Sequence, residues 1–226
     1  MGAKKSHPGQ IPLGFAREMI SMEDDIVAVG GTLDETTLLT AYRKGIFPWP
    51  AEGLPLLWYC PLERAILRFE NLHIGRNLMR ARKKSSLRFS IDEAFDRVIG
   101  HCAAIARPDQ DGTWITPEML AAYSQLHRRG IAHSVEAWDG ETLVGGLYGI
   151  DCGGSFSGES MFHLAPDASR LALLYLIDHL QDRGCQWIDC QVMTPHFERM
   201  GAEEISRDSF LEELATALEA GRKLFA

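Results

Sequence analysis

The sequence predicts an α+β fold in which helices flank a mostly antiparallel sheet, preceded by a small N-terminal α+β domain. Three neighbouring segments, 133–138, 142–150 and 155–162, alternate in polarity or run apolar between turns that contain glycine. Such segments are typical of adjacent antiparallel strands, and the pair Asp139 and Gly140 is a hairpin signal. Helical segments precede and follow these strands in runs rather than alternating with them, which favours the α+β class.

The length of 226 residues fits one larger domain with a smaller one, and we place the boundary so that the domains are 1–62 and 63–226. Residues 1–33 are rich in Gly and Pro and predict loop with one short strand at 26–29. Asp34 is the predicted N-cap of a helix that ends before Gly45. The proline- and aromatic-rich segment 47–61 is expected to lack regular structure.

In the larger domain, apolar periodicity and capping residues predict four helices and one more strand. The helices are expected at 92–105, from Thr116 and Pro117 to Gly130, at 167–183, and at 207–220, and a buried strand is expected at 185–192.

Charge is distributed unevenly along the chain. The net charge of −8 argues against a protein whose whole surface binds nucleic acid. Residues 64–88 nevertheless contain eight basic residues and a single acidic one, Glu70. This run is either a face that binds phosphates or an ordinary solvated helical face. The apolar runs are too short to span a membrane, so no membrane partner is expected.

Metal sites, disulfides and a catalytic serine are not indicated. The five cysteines are odd in number and contain no CxxC pair, which argues for a reducing cytoplasm and against structural zinc. The segment 158–162 has Phe162 where a nucleophile elbow needs glycine. The chain contains no evident heptad seam, which favours a monomer.

Asp189 and Gln191 form the most informative polar pair. Strand alternation places them on one face and Ile188 and Cys190 on the other. A carboxylate in an apolar strand must be hydrogen-bonded or have a shifted pKa, and both conditions recur at active sites. The alternative is a buried aspartate that holds a loop in place.

Eight short motifs, taken together and in order, resemble the leucyl/phenylalanyl-tRNA–protein transferases. They are VGGTL (29–33), AYRKGIFPW (41–49), GTWIT (112–116), HSVE (133–136), LVGGLYG (143–149), FSGESMF (156–162), AS (168–169) and IDCQ (188–191).

The resemblance implies a GNAT-like acyltransferase domain behind the small N-terminal domain, and an aminoacyltransferase activity of the leucyltransferase type. Such enzymes transfer Leu or Phe, and less readily Met, from aminoacyl-tRNA to the α-amine of proteins beginning with Arg or Lys, which marks them for N-end-rule degradation. Because an aminoacyl ester is already activated, no cofactor and no metal are expected.

The resemblance also implies site residues. Asp189 and Gln191 correspond to the catalytic pair, in which Asp189 orients the amine or Gln191 and helps deprotonation, while Gln191 relays a proton or, as we favour, positions atoms. Glu159 and Ser160 line the same site, and Glu159 would meet the cationic N-terminal residue, unless it is a surface acid of an edge strand. The pocket for the transferred side chain corresponds to Leu147, Phe156, Met161, Leu176 and Leu180, each of which also fits ordinary core.

Two further sets correspond to tRNA contacts. Trp49 and Trp114 would stack on the terminal adenosine, with a hydrogen bond from Tyr42; Trp49, between two prolines, could equally be a structural wall. The acceptor-stem phosphates would meet the basic residues Arg76, Arg80, Arg82, Lys83 and Lys84.

Two other functions stay open. An acetyl-CoA-dependent N-acetyltransferase would share the domain architecture, although the turn at 164–169 lacks the glycines that hold a pyrophosphate. A non-catalytic RNA-binding protein would use the same basic run, and loss of transfer without loss of tRNA affinity in Asp189→Ala would exclude it.

Overall fold

A computed structural model describes residues 23–50, 53–105 and 114–225. The expected loop at 1–22 and the motif residues Gly112 and Thr113 lie outside the described residues. The strands are β1 (Ile26–Val29), β2 (Phe47–Trp49), β3 (Leu57–Tyr59), β4 (Glu63–Arg68), β5 (Arg88–Ile91), β6 (Ala132–Asp139), β7 (Thr142–Asp151), β8 (Phe156–His163), β9 (Trp187–Gln191) and β10 (Glu203–Ser206). The α-helices are α1 (Glu35–Tyr42), α2 (Arg76–Lys84), α3 (Phe95–Ala104), α4 (Pro117–Arg128), α5 (Ala168–Gln181), α6 (Pro195–Arg199) and α7 (Arg207–Ala220).

The described strands form two sheets. The smaller has the order β1-β3-β2 and is antiparallel. The larger has seven strands in the order β10-β4-β9-β8-β7-β6-β5. Its neighbouring strands are antiparallel except β8 and β9, which are parallel because α5 crosses over between them. The predicted mixed α+β architecture, with three adjacent antiparallel strands β6, β7 and β8, is confirmed.

The expectation that 47–61 lacks regular structure is wrong for two of its parts, β2 and β3. Pro48 lies within β2, which is an edge strand of the smaller sheet. Proline has no backbone N–H to donate to a neighbouring strand. A central strand needs these donors toward both neighbours, whereas an edge strand has one side without a partner and tolerates proline there. Strand β3 lies at the centre of this sheet, and its side chains are buried.

Side-chain hydrogen bonds explain where two helices begin. The Thr116 hydroxyl accepts a hydrogen bond from the Met119 N–H, and Pro117 is the first residue of α4, as predicted. The helix expected from residue 92 begins instead at Phe95. Asp92 has a φ of 62°, and its carboxylate accepts the Ser134 N–H at 2.9 Å, which holds this residue to β6.

The larger sheet is covered on both faces. One buried cluster contains α3 and α4 residues with Tyr148 of β7, and a second contains α5 and α2 residues with Leu147 of the same strand. Adjacent strand residues point to opposite faces, so Leu147 and Tyr148 contribute to different layers. The first cluster also includes Leu38 and Tyr42 of α1, which brings the N-terminal helix against α4. In the ranges described, no helix is long and apolar enough to cross a membrane.

Candidate active site

A cavity of about 920 Å³ opens where β8 and β9 meet. The two strands pair at Ser157 and Asp189, and the residues that follow on each strand line the cavity. The first turn of α5 contributes Asp167 and Ser169 to its wall. The parallel β8–β9 pair therefore positions polar side chains from two strands at one opening.

Asp189 lies at the base of this cavity and is almost completely buried. Its Oδ1 accepts hydrogen bonds from Arg64 Nε at 2.7 Å and from the Gln191 N–H at 2.9 Å. Its Oδ2 accepts from Arg64 at 2.7 Å and from the Ser157 hydroxyl. A carboxylate has about four lone-pair positions, so these four donors fully engage Asp189. The hydrogen bonding expected of a carboxylate in this apolar strand is thus present.

The partner of Asp189 is Arg64, the first residue of the basic run 64–88. Its side chain is 2% exposed, and its guanidinium lies 4.7 Å from the Phe47 ring centroid and 4.5 Å from that of Phe210. A further guanidinium N–H donates to the Gly45 carbonyl at 3.1 Å. This bidentate pair joins β4 to β9 and to the N-terminal segment. A basic residue directly before the apolar stretch 65–67 is the signal that would have identified it.

Glu159 of β8 is half-buried and lines the cavity. Its Oε1 accepts from the Tyr42 hydroxyl and from Gln191 Nε2, both at 2.7 Å, while its Oε2 accepts from the Tyr123 hydroxyl at 3.3 Å. The two tyrosine hydroxyls also hydrogen-bond each other. Burial, partly offset by these hydrogen bonds, raises the pKa of Glu159 to about 7. The alternative of a surface acid on an edge strand is wrong, because β8 lies inside the sheet.

Tyr123 lies in the helix predicted from Thr116 but was not among the predicted site residues, so its place in this network was missed. Burial and the nearby Glu159 raise the pKa values of Tyr42 and Tyr123 well above the usual range, so both stay protonated. Tyr42 donates its one proton to Glu159, and the Tyr123 proton is shared between the Tyr42 oxygen and Glu159 Oε2. Periodicity cannot distinguish such a tyrosine from a phenylalanine in the same position.

Gln191 is held in an uncommon backbone conformation. Its φ is 64°, in the left-handed region that non-glycine residues rarely adopt, and its N–H donates to Asp189. Strain of this kind persists where the surroundings over-determine it, and it recurs at functional sites. Here β9 ends, and the Gln191 side chain reaches across to Glu159.

Four of the five predicted apolar pocket residues line the cavity, namely Leu147, Phe156, Met161 and Leu176. Leu180 is not among the lining residues and is fully buried in the core. It lies one helical turn beyond Leu176 on α5, about 6 Å farther from the helix start that faces the cavity. Leu173, which was not predicted, lines the cavity instead.

Trp49 and Trp114 meet at another side of the cavity. Their ring centroids are 5.9 Å apart with planes inclined at 29°, so together they form an aromatic wall. Trp49 comes from the edge of the small sheet and Trp114 from the segment before α4. Ser160 also lines the cavity, and Tyr42 reaches the site through Glu159.

The basic run is smaller as a surface feature than its composition indicated. Arg64 pairs with Asp189, Arg68 with Glu203 and Glu213, Arg82 with Asp178, and Arg88 with Glu93. In the described part of the chain, no ion pair involves the four other basic residues that α2 carries, which are Arg76, Arg80, Lys83 and Lys84. The basic surface is therefore one helix rather than a whole segment.

All five cysteines are buried and free. Within the residues that the structure describes, no group of three or more His, Cys, Asp or Glu side chains is arranged to hold a metal ion.

A mixed α+β fold whose cavity joins carboxylates, an amide and an apolar wall has the features of an enzyme active site. Sequence models of two families match the chain: Leucyl/phenylalanyl-tRNA protein transferase over residues 66–215, and the N-terminal domain of the same protein over residues 31–62. The chain belongs to the leucyl/phenylalanyl-tRNA–protein transferase family, and the predicted resemblance is confirmed.

Relatives named leucyl/phenylalanyl-tRNA–protein transferase cover most of the chain. The protein of Anaeromyxobacter sp. (strain K) is 50% identical over 91% of this chain and 88% of its own length. That of Shewanella denitrificans is 48% identical over 88% and 84%, and that of Lawsonia intracellularis 46% identical over 93% and 92%. A solved structure of a functionally unknown conserved protein from Staphylococcus epidermidis superposes with a TM-score of 0.40 at 11% identity, over 86% of this chain and 75% of that one.

Proposed function

We propose that this enzyme transfers Leu or Phe, and less readily Met, from aminoacyl-tRNA to the α-amine of proteins that begin with Arg or Lys, in the N-end-rule pathway. Family membership supports the reaction. The observation that carries it at the site is a single cavity that combines an apolar pocket, two carboxylates with an amide, and a tryptophan wall.

The reaction needs orientation more than activation, because the aminoacyl ester is already reactive. In our proposal Gln191 orients the incoming amine. Its amide nitrogen donates to Glu159, so its amide oxygen is the atom that accepts an amine N–H. Asp189 fixes Gln191 through the backbone N–H, and Arg64 fixes Asp189.

The remaining parts of the cavity, together with helix α2, fit the aminoacyl side chain, the terminal adenine and the acceptor stem of the donor tRNA. Leu147, Phe156, Met161 and Leu176 would surround an unbranched or γ-branched side chain. Trp49 and Trp114 offer a stacking surface for the terminal adenine. The Tyr42 hydroxyl, expected from the resemblance to bond the adenosine, donates instead to Glu159. Arg76, Arg80, Arg82, Lys83 and Lys84 on α2 would contact acceptor-stem phosphates, with Arg82 exchanging its pairing with Asp178 for a phosphate.

We also propose the finer architecture. The parallel β8–β9 pair beside antiparallel strands supports a GNAT-like domain over 63–226, and the separate small sheet supports an N-terminal domain over 1–62. The enzyme would act as a monomer in the cytoplasm, where charged tRNA is found. Acetyl-CoA is a poorer donor for this site, because the α5 N-terminus that would meet its pyrophosphate has Asp167 as the cap.

A transfer assay tests the proposal. Purified protein is incubated with radiolabelled Leu-, Phe- or Met-tRNA and with peptides that differ only in an N-terminal Arg, Lys or Gly; acetyl-CoA replaces the tRNA in a further arm. We expect label on the Arg and Lys peptides alone. Gln191→Ala should lose most transfer, whereas Gln181→Ala, an exposed glutamine at the end of α5, should not. Acetylation, or tRNA binding without transfer by the unmodified protein, would refute the proposal.

A further inference from the structure

The two carboxylates of the cavity differ in their capacity to accept a proton. Asp189 receives four donors, two of them from a buried guanidinium. Both oxygens of Asp189 are thus fully engaged by groups of the protein itself. Glu159 is different: two short hydrogen bonds reach its Oε1, and the bond from Tyr123 to its Oε2 is 3.3 Å long. Oε2 is therefore the less engaged oxygen of the Glu159 carboxylate.

We propose that Glu159 is the general base of the reaction, and that its carboxylate takes the proton from the attacking amine. The inference rests on the proposed function and deepens it. Asp189, by contrast, is a positioning residue, and its deprotonating role expected from the sequence passes to Glu159. Gln191 donates to Glu159 and lies beside it, so the amine that Gln191 orients is within reach of the same carboxylate.

The step balances without any further reactant. The amine nitrogen attacks the ester carbonyl carbon and forms the new C–N bond. Glu159 accepts one proton from that nitrogen. The bond between the carbonyl carbon and the 3′-oxygen of the terminal adenosine breaks, and protonated Glu159 returns its proton to that oxygen. The products are an amide and a free hydroxyl, and Glu159 is a carboxylate again.

The surroundings of Glu159 suit this task. Tyr42 from α1, Tyr123 from α4, Asp189 and Arg64 from the adjoining strands, and Cys152 at the end of β7 are the titratable or charged groups that interact with it. Burial and Asp189 raise its pKa, and the two tyrosines and Gln191 lower it, which leaves the pKa at about 7. A base whose pKa lies near the operating pH is the most effective in Brønsted terms.

The competing role is recognition: Glu159 would form an ion pair with the cationic side chain of the acceptor's first residue. The two roles predict different kinetics. A base acts in the transition state, so its loss lowers kcat; a recognition group binds the acceptor in the ground state, so its loss raises KM for the peptide.

The experiment measures kcat and KM for the Arg-initiated peptide between pH 5.5 and 9, with saturating aminoacyl-tRNA. We expect Glu159→Gln to lower kcat by about 10²- to 10⁴-fold, with a smaller change in KM, and to remove the limb of the pH profile that Glu159 governs. Glu141→Gln, an exposed glutamate in the β6–β7 turn, is the matched control and should leave the profile unchanged.

Tyr42→Phe gives an independent readout. The Tyr42 O–H stabilises the charged carboxylate, so its removal raises the pKa of Glu159, and the acidic limb should move to higher pH. The acceptor's own amine also titrates in this range. In the profile of kcat/KM, which reports free enzyme and free peptide, no substitution in the enzyme alters the pKa of that amine, so a limb displaced there belongs to Glu159. Tyr123→Phe should move the limb in the same direction.

The outcomes separate the two proposals. Absence of transfer by the unmodified enzyme refutes the proposed function itself. Transfer with a Glu159→Gln variant that keeps kcat, raises KM and retains the acidic limb overturns the base and assigns recognition. A limb that stays in place in both tyrosine variants also overturns the base. Thermal unfolding of each variant establishes that the fold is intact, and the Gln substitution preserves the volume of the side chain.

Discussion

The ion pair between Arg64 and Asp189 is the residue-scale feature on which the geometry of the site depends. Both side chains are almost fully buried, so each charge relies on the other for compensation. Through Asp189 the pair fixes the backbone of Gln191, and through the Gly45 carbonyl it fixes the turn after α1. The same ion pair therefore stabilises the interior of the protein and holds Gln191 in place at the cavity.

Replacing Arg64 by Met should lower the free energy of unfolding by about 3–5 kcal/mol, because it leaves the Asp189 carboxylate buried without its counter-charge. Urea denaturation of the variant beside the unmodified protein measures this. The double variant Arg64→Met with Asp189→Leu should be more stable than the single one, since no unpaired charge remains. A double variant that is less stable by the sum of two independent losses would contradict this account.

The sequence identifies Asp189 and Glu159 as site residues but not the partners that give them opposite properties. Arg64 is 125 residues from Asp189, and Tyr123 is 36 residues from Glu159. Sequence patterns report the periodicity of polar and apolar residues that are close together along the chain. The contacts of Arg64 and Tyr123 form only when β4 pairs with β9 and α4 packs near β8, so no local pattern reports them. Charge counting therefore placed Arg64 on the surface, and helical periodicity placed Tyr123 in the core.

At the scale of elements, the contact between β7 and the start of α5 defines one wall of the cavity. A Cβ atom on Gly145 would lie 2.6 Å from the Ala168 Cβ and 3.0 Å from the Ser169 backbone nitrogen. Gly145→Ala should therefore displace the helix start, destabilise the protein by about 1–3 kcal/mol and lower transfer. Gly100→Ala, in α3 where a Cβ meets open space, should stabilise by about 0.5–1 kcal/mol. Thermal unfolding measures the stability of the two variants, and the transfer assay measures their activity. Equal losses in Gly145→Ala and Gly100→Ala would contradict this account of the packing.

Two leucines on α5, one turn apart, have different surroundings. Leu176 lines the cavity, and Leu180 packs in the core one turn away. Leu180→Ala and Leu176→Ala should each lower stability by about 2–5 kcal/mol, because each deletes a buried side chain. Only Leu176→Ala should also change the ratio of kcat/KM for Leu-tRNA and Phe-tRNA, in favour of the larger Phe, because it enlarges the pocket. A changed ratio in Leu180→Ala would show that the pocket extends deeper than the cavity described.

Helices with caps were predictable, and so was β1, the short strand expected at 26–29, whereas three other short strands were not. Thr116 and Asp34 each accept an N–H at the start of a helix, so α4 and α1 have chemical signals in the sequence. The strands β4, β5 and β10 have four to six residues and no alternation long enough to detect. Their position is decided by pairing with distant strands, which no local signal reports.

At the scale of the whole molecule, the enzyme carries a net charge of −8 and must bind a polyanion. Binding then depends on where positive charge is concentrated rather than on the total. Helix α2 concentrates it, since its last turn contains Arg82, Lys83 and Lys84 and its first turn contains no acidic residue. The helix packs against α5, whose first turn lines the cavity. Helix α2, where we propose that tRNA binds, is thus on the same side of the sheet as the apolar pocket.

Substituting Arg76, Arg80, Lys83 and Lys84 together by Gln should raise KM for aminoacyl-tRNA with little change in kcat. In our proposal these side chains bind phosphates, and none of them lines the cavity. Counterion release sets the size: the slope of log affinity against log salt concentration should fall by about 1 for each phosphate that the variant no longer neutralises. Transfer rates and tRNA binding measured from about 50 to 300 mM KCl, the range over which such slopes are resolved, test this. The control removes Arg183 and Lys223, exposed cations at the other end of α5 and near the C-terminus, and should leave the slope unchanged. If both variants reduced the slope equally, tRNA would be held by diffuse charge, and α2 would have no special part in binding.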